Sequence, residues 1–134
     1  MTDAAAAAWR RVEALAGLTV LDVIRDEALQ ANAARVGAHL KGRLEALAVR
    51  HQMIGAVHGS GLYLGVEFVR DRGSLEPAAE ETMAICERML ELGVVIQPTS
   101  DRMCVLKIKP PLCLDVEGAD FFADALDRVL TEGW

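Results

Sequence analysis

The run V-L-K-I-K-P-P-L-C at Val105 to Cys113 constrains the fold more than any other stretch of the chain. Side chains on an extended strand alternate between faces, so Val105, Lys107 and Lys109 share one side and Cys104, Leu106 and Ile108 the other. One face suits an apolar core and the opposite face suits water or a polar ligand. Pro110 and Pro111 have no N–H to give a ladder, so they end the strand and keep the chain extended as it leaves. Two readings of the lysines stay open on these residues alone: guards against edge-to-edge pairing, or a binding surface.

The rest of the chain decides what such a strand can pack against. With 134 residues there is enough chain to bury roughly two-thirds of the surface that the unfolded form exposes. Hydrophobic residues make up 52% and aromatics only 4%, so the core is expected to be aliphatic with closely packed helices. A net charge of −6 without a basic patch argues against nucleic acid or an anionic membrane as partner. Cys86, Cys104 and Cys113 form an odd set with no CxxC pair, which suggests free thiols in a reducing cytoplasm. No uncharged stretch reaches the about 18 residues of a membrane span, and Arg10, Arg11 and Glu13 interrupt any secretory pattern near the start.

In order, Asp3 is expected to cap a helix that opens on five alanines and carries Trp9, Val12, Ala16, Val20 and Val23 at helical spacing. Leu15, Leu18, Leu21 and Ile24 widen its apolar surface beyond one stripe, so it calls for neighbours on more than one side. Asp26 and Glu27 read as the cap and acidic first turn of a second helix. There Leu29, Ala33, Val36, Leu40, Leu44 and Leu47 step by 4, 3, 4, 4 and 3 to about Arg50. His39 and His51, on or beside its polar side, read as solvated, since neither has a second ligand at helical spacing.

Ile54 to Val57 reads as a short strand, His58 to Gly61 as a glycine-rich turn, and Leu62 to Val69 as an alternating half-buried strand. The H-G-S-G-L turn lacks the lysine and the strand-to-helix setting of a phosphate loop, and Ser60 near His58 lacks a third group to make a nucleophile. After a polar loop, Glu76-Pro77 is expected to start a helix burying Ala79, Met83, Cys86 and Leu90, with the Met83/Met89 pair as core filler and Gly93 at its C-cap. Val94 to Ile96 reads as a brief strand, Pro98 to Arg102 as a turn, and Met103 to Lys109 as the strand described first. Asp115 then caps a last helix with Ala119, Phe122, Leu126 and Val129 inward and Asp124 opposite Arg128 outside. The sum is a single α+β domain over residues 1–134, a small, mostly antiparallel sheet of three or four strands covered on one face by helices and preceded by a long N-terminal helix.

Three segments, in this order, resemble the C-terminal small domain of class III, fold-type I, pyridoxal-phosphate-dependent aminotransferases. They are A-G-L-T-V-L-D-V-I-R-D-E-A-L-Q-A-N-A at Ala16 to Ala33, I-G-A-V-H-G-S-G-L-Y-L-G-V-E-F-V at Ile54 to Val69, and the Val105 to Cys113 run, followed by A-L-D-R-V-L at Ala125 to Leu130. His58 departs from the family's R-G-x-G-L, and residues 1 to 13 replace its glycine- and proline-containing start with alanines. Lys107 stands where ornithine- and acetylornithine-type members carry a carboxylate-gripping arginine, and K-I-K-P-P-L-C is similar to the ethanolamine-phosphate phospho-lyase and alanine–glyoxylate branch.

The resemblance implies pyridoxal phosphate in a parent enzyme, with Lys107 and Lys109 as substrate-binding residues. It gives this chain no catalytic residue, no cofactor-binding residue and no metal ligand, because the Schiff-base lysine and the acid on the pyridine nitrogen belong to a large domain. The large domain is then the expected partner. Alternatives of another kind are a non-catalytic interaction module of the same fold, one half of a split enzyme, or self-association through the N-terminal helix.

Overall fold

A computed structural model describes residues 3–134, which divide into two compact units after Ala31. The side chains of residues 3–6 and 10 lie outside that description, and with them the expected cap at Asp3.

The first unit is α1 (Asp3–Asp26), a turn, and the opening of α2 (Leu29–Arg50). Helix α1 carries its apolar residues in the open: Trp9 is 60% exposed, Leu15 67% and Leu21 62%. The expected restart at Asp26 and Glu27 is displaced. Asp26 is the last residue of α1, Ala28 breaks the helix at φ +50, and the first turn of α2 holds no acid. A cap acts from just outside a helix, and Asp26 is still inside one.

The second unit contains one hydrophobic cluster built on β1 (Ile54–Ser60), β2 (Tyr63–Asp71), β3 (Glu76–Pro77), α3 (Ala79–Glu91), β4 (Pro98–Thr99), β5 (Val105–Ile108) and α4 (Val116–Glu132). All strand pairings are antiparallel, in the order β1-β2-β5-β4, with β3 added to β2. Leu64, Val66 and Phe68 of β2 and Leu106 and Ile108 of β5 turn inward, as period-two alternation requires, and join Val36, Leu40, Leu44 and Leu47 of α2 in the core. The helices cover that face of the sheet, which is the α+β layout expected from the sequence. Leu114 N–H and Gly118 N–H fix the start of α4, the second through the expected Asp115 cap at 2.8 Å. Gly93, at φ +87, ends α3 with its N–H on the Leu90 carbonyl and the Val94 N–H on that of Met89, the glycine-terminated reversal foreseen there.

Several boundaries move. His58 to Ser60 belong to β1, and the hairpin turn is only Gly61 and Leu62, with Ser60 opposite Tyr63 and Gly61 at φ +55. Glu76-Pro77 pairs with β2 instead of opening a helix; as an edge strand it has no need of the missing proline N–H. The buried side of α3 is Thr82, Ile85, Cys86 and Met89, while Met83 and Leu90 are exposed. The helix begins later than Pro77, and the side it buries is the one that meets the core cluster of α4 and the sheet. No strand forms at Val94 to Ile96. The loop before β5, with Ser100 and Met103 both at positive φ, sets Pro98 and Thr99 opposite Leu106 and Val105, so pairing falls later in the chain.

Neither His39 nor His51 is simply solvated. His39 Nε2 lies 2.7 Å from Asp120 Oδ1 and His51 Nε2 lies 2.7 Å from Asp127 Oδ1, linking α2 to α4. Arg43 donates to both Asp120 and Asp124, so Asp124 meets α2, and Arg128 pairs with Glu132 instead of Asp124. The hydrogen bond from His39, aided by Arg43, holds the Asp120 carboxyl below its usual range. At Asp127 burial pushes upward, but the bonds from His51 and Arg50 outweigh it, and this carboxyl is also lowered. Carboxylates lowered on folding stabilise above their unfolded pKa and lose that contribution as pH falls through the folded value. Thermal unfolding should therefore show a fall in Tm below about pH 4 that is shallower in the D120N/D127N double variant. Equal slopes in the two proteins would refute this.

Candidate functional site

The outward side of the same sheet is polar, and its register sets the geometry. His58 of β1 lies opposite Gly65 of β2, which lies opposite Lys107 of β5, giving one row across three strands. The neighbouring row holds Glu67 and Val105, with Thr99 of β4 beyond them. Further along, the Lys109 ammonium stands 5.2 Å from the centroid of the Tyr63 ring, within cation–π range. Lys107 and Lys109 are both exposed on this face, while Cys104, Leu106 and Ile108 are buried on the other. The alternation read from the sequence thus holds residue by residue.

Two hollows flank Lys107. One, of about 350 Å³, is floored by Gly65 and bordered by His58, Tyr63, Thr99 and Lys107. The other, of about 420 Å³, opens where the chain from Val94 to Gln97 runs beside Lys107 and Lys109 without pairing. Both lysines line the second.

Three residues that sequence reasoning did not single out support this face. Glu67 accepts from His58 Nε2 at 2.8 Å; the two are nine residues apart, and only the hairpin register brings them together. Asn32 of α2 donates to the carbonyls of Leu112 at 2.8 Å and Leu114 at 2.9 Å, anchoring the segment that follows Pro110 and Pro111. Arg72, in the turn after β2, donates to the carbonyls of Ala48, Gln52 and Ile54, placing a cation at the C-terminal end of α2 and tying it to β1. Asn32 and Arg72 bond to backbone carbonyls remote in sequence, and such pairings leave no local pattern.

The other candidates are quieter. Burial pushes the Cys86 thiol up to about 11, so it is not a nucleophile at neutral pH. Cys104 is buried and Cys113 exposed, and all three cysteines are free. Lys41 donates from α2 to the Gly59 carbonyl at 3.2 Å. Among the described residues no group of three or more His, Cys, Asp or Glu side chains converges as a metal site, and no helix is long and apolar enough to cross a membrane.

Comparison with known proteins places these features in a family context. The family model described as Aminotransferase class-III matches residues 11–130. An Arabidopsis thaliana protein named alanine–glyoxylate aminotransferase 2 homolog 2, mitochondrial, is 48% identical over 121 residues, covering 90% of this chain and 25% of its own length. Ethanolamine-phosphate phospho-lyase homolog 1 of Caenorhabditis elegans is 33% identical over 121 residues, 90% of this chain and 26% of its own. Among solved structures, a phospholyase from Arthrobacter in complex with phosphoethanolamine superposes with a TM-score of 0.83 at 36% identity, over 89% of this chain and 28% of that one. The chain spans about a quarter of the length of the curated relatives it matches.

Proposed function

The chain belongs to the class-III aminotransferase family, and from that premise we propose that it acts as the C-terminal small domain of a pyridoxal-phosphate enzyme, a transaminase or a related phospho-lyase. In this reading the polar sheet face turns toward the substrate, with Lys107 and Lys109 as its anion-binding residues. The observation that carries it is the pairing of two exposed lysines on one open face with a fold matched by relatives about four times as long. A lysine ammonium is a compact charge with three donors, able to meet an anionic group but without the bidentate fit of a guanidinium to a carboxylate. The remainder of the enzyme is the proposed partner, and the exposed apolar side of α1 is a surface for it to cover.

Pyridoxal phosphate does not fit this chain by itself. When bound in an enzyme it supplies an electron sink for charge developing on the substrate. Holding it covalently calls for a lysine desolvated in a closed pocket, whereas Lys41 is half-exposed and bonded to a backbone carbonyl and Lys107 and Lys109 are exposed. These are the chain's three lysines. The role proposed here is to bind and orient the substrate's anionic group.

An absorbance titration of the purified chain with pyridoxal phosphate tests the reading. The expected result is weak, non-stoichiometric imine formation that does not respond to added amino donor and declines gradually as lysines are removed. A stoichiometric, donor-responsive band abolished by one Lys→Ala substitution would show that the chain carries the chemistry itself and overturn the proposal.

A further inference from the structure

We propose that Arg11, Leu15, Leu18 and Asp22 of α1 form a docking seam for a second copy of this chain, the two helices running antiparallel. The four residues are spaced 4, 3 and 4 apart, and at about 100° per residue they fall within an arc of about 60°. Such spacing makes a seam along which two helices pack side by side. All four residues are exposed. Trp9, Ala16, Val20 and Val23 lie about 140° further round the helix, also exposed. A helix with apolar residues all round is normally buried on more than one side, and one covering body laid over Trp9 and Val20 leaves Leu15 and Leu18 in water. The seam is therefore separate from the side assigned above to the remainder of the enzyme, and it stands without that assignment.

The order of residue types along the seam selects both the partner and its direction. The spacing reads the same from either end, but the charges do not, with Arg11 at one end and Asp22 at the other. A parallel copy would set Arg11 against Arg11 and Asp22 against Asp22. An antiparallel copy sets Leu15 of each chain against Leu18 of the other, and Arg11 of each against Asp22 of the other. The two-fold axis then falls midway between the leucines, and the charges close the seam at both ends, roughly 16 Å apart along the helix.

Within its own helix Asp22 already meets Arg25, 2.9 Å away through Oδ1. A carboxylate accepts at two oxygens, so this pair leaves Asp22 able to take a second donor. Exposed ion pairs contribute little affinity each, and here they fix direction and partner while the four leucines of the two copies supply the apolar contact. So short a seam belongs to the class of small, weak interfaces.

Sedimentation equilibrium of the full chain at low salt tests the proposal. The expected result is a reversible dimer with a Kd of about 10–100 μM. R11D and D22R each place like charges at both ends of the seam in a self-pair, and each should weaken association about tenfold. Mixed in equal amounts, the two variants restore one opposite-charge pair at each end, so the mixture should associate within about twofold of the wild type. L15K should abolish the dimer, and V20K, on the other side of the helix, should leave it within about twofold. Lysine is as good a helix former as leucine, so an unchanged circular-dichroism spectrum in L15K keeps the comparison on the seam. A wild-type chain that stays monomeric to about 500 μM would overturn the proposal. So would a mixture of R11D and D22R that associates no better than either alone, or a V20K effect larger than that of L15K. Failure of the proposed function is read separately, by the pyridoxal phosphate titration.

Discussion

Gly37→Ala should destabilise the second unit by about 3 kcal/mol, toward the upper end of overpacking costs, and lower Tm by about 10 °C. Gly37 is buried on α2, and a methyl group built there overlaps the carbonyl, carbonyl carbon and Cα of Gly61 in the β1–β2 turn. Side chains can relieve such a clash by changing rotamer, but backbone on both sides cannot. Either the helix lifts from the hairpin or the turn unwinds, and both open the core beneath Leu62 and Leu64. Gly42 on the same helix provides the control, since nothing lies within 4 Å of a Cβ there. Gly42→Ala should therefore stabilise by up to about 1 kcal/mol through helix propensity. Urea denaturation of the two variants checks the pair. Equal, small effects of opposite or like sign would show that α2 does not press on the turn.

Phe68→Ala is expected to be more severe, at roughly 3–5 kcal/mol. Phe68 is fully buried and is among the largest such side chains in the chain. It stands opposite Ile54, its N–H bonds the Cys104 carbonyl at 2.8 Å, and its carbonyl accepts from Ala78 at 3.2 Å, so β1, β5 and the start of α3 all meet at this residue. Truncation leaves a cavity where those elements converge and removes the dispersion contacts of all the ring carbons. Phe68→Leu should recover much of the loss, because the aliphatic surroundings can close around it. Urea midpoints for the two variants provide the measure, and a Phe68→Ala midpoint near that of the wild type would show that the cluster does not depend on this ring.

How far the sequence could be read follows from the range of the forces involved. The stripe of α2 and the alternation of Leu64, Val66 and Phe68 and of Leu106 and Ile108 were legible, because burying one face imposes a period within a single segment. The caps at Asp115 and Gly93 were legible because a helix end is satisfied by residues next to it. Errors concentrated where a partner outside the segment decides. Val94 to Ile96 has strand composition, but the loop at Ser100 to Met103 assigns the pairing to Pro98 and Thr99. On α3, Met83 and Leu90 fit an apolar stripe as well as Ile85 and Met89 do, and only docking against α4 and the sheet separates them. His39 and His51 found carboxylates on a helix about 80 residues away.

The same division applies to the candidate site. Alternation within Val105 to Ile108, closed by two prolines, was enough to place Lys107 and Lys109 on the polar side of a strand and Leu106 and Ile108 in the core. That is a local consequence of strand geometry. What stands beside Lys107 was decided by the tertiary structure alone: Gly65 and His58 in one row, Glu67 on the imidazole, and an unpaired chain from Val94 to Gln97 at its flank. Register between strands depends on turns and packing summed over the whole sheet, and no single segment encodes it.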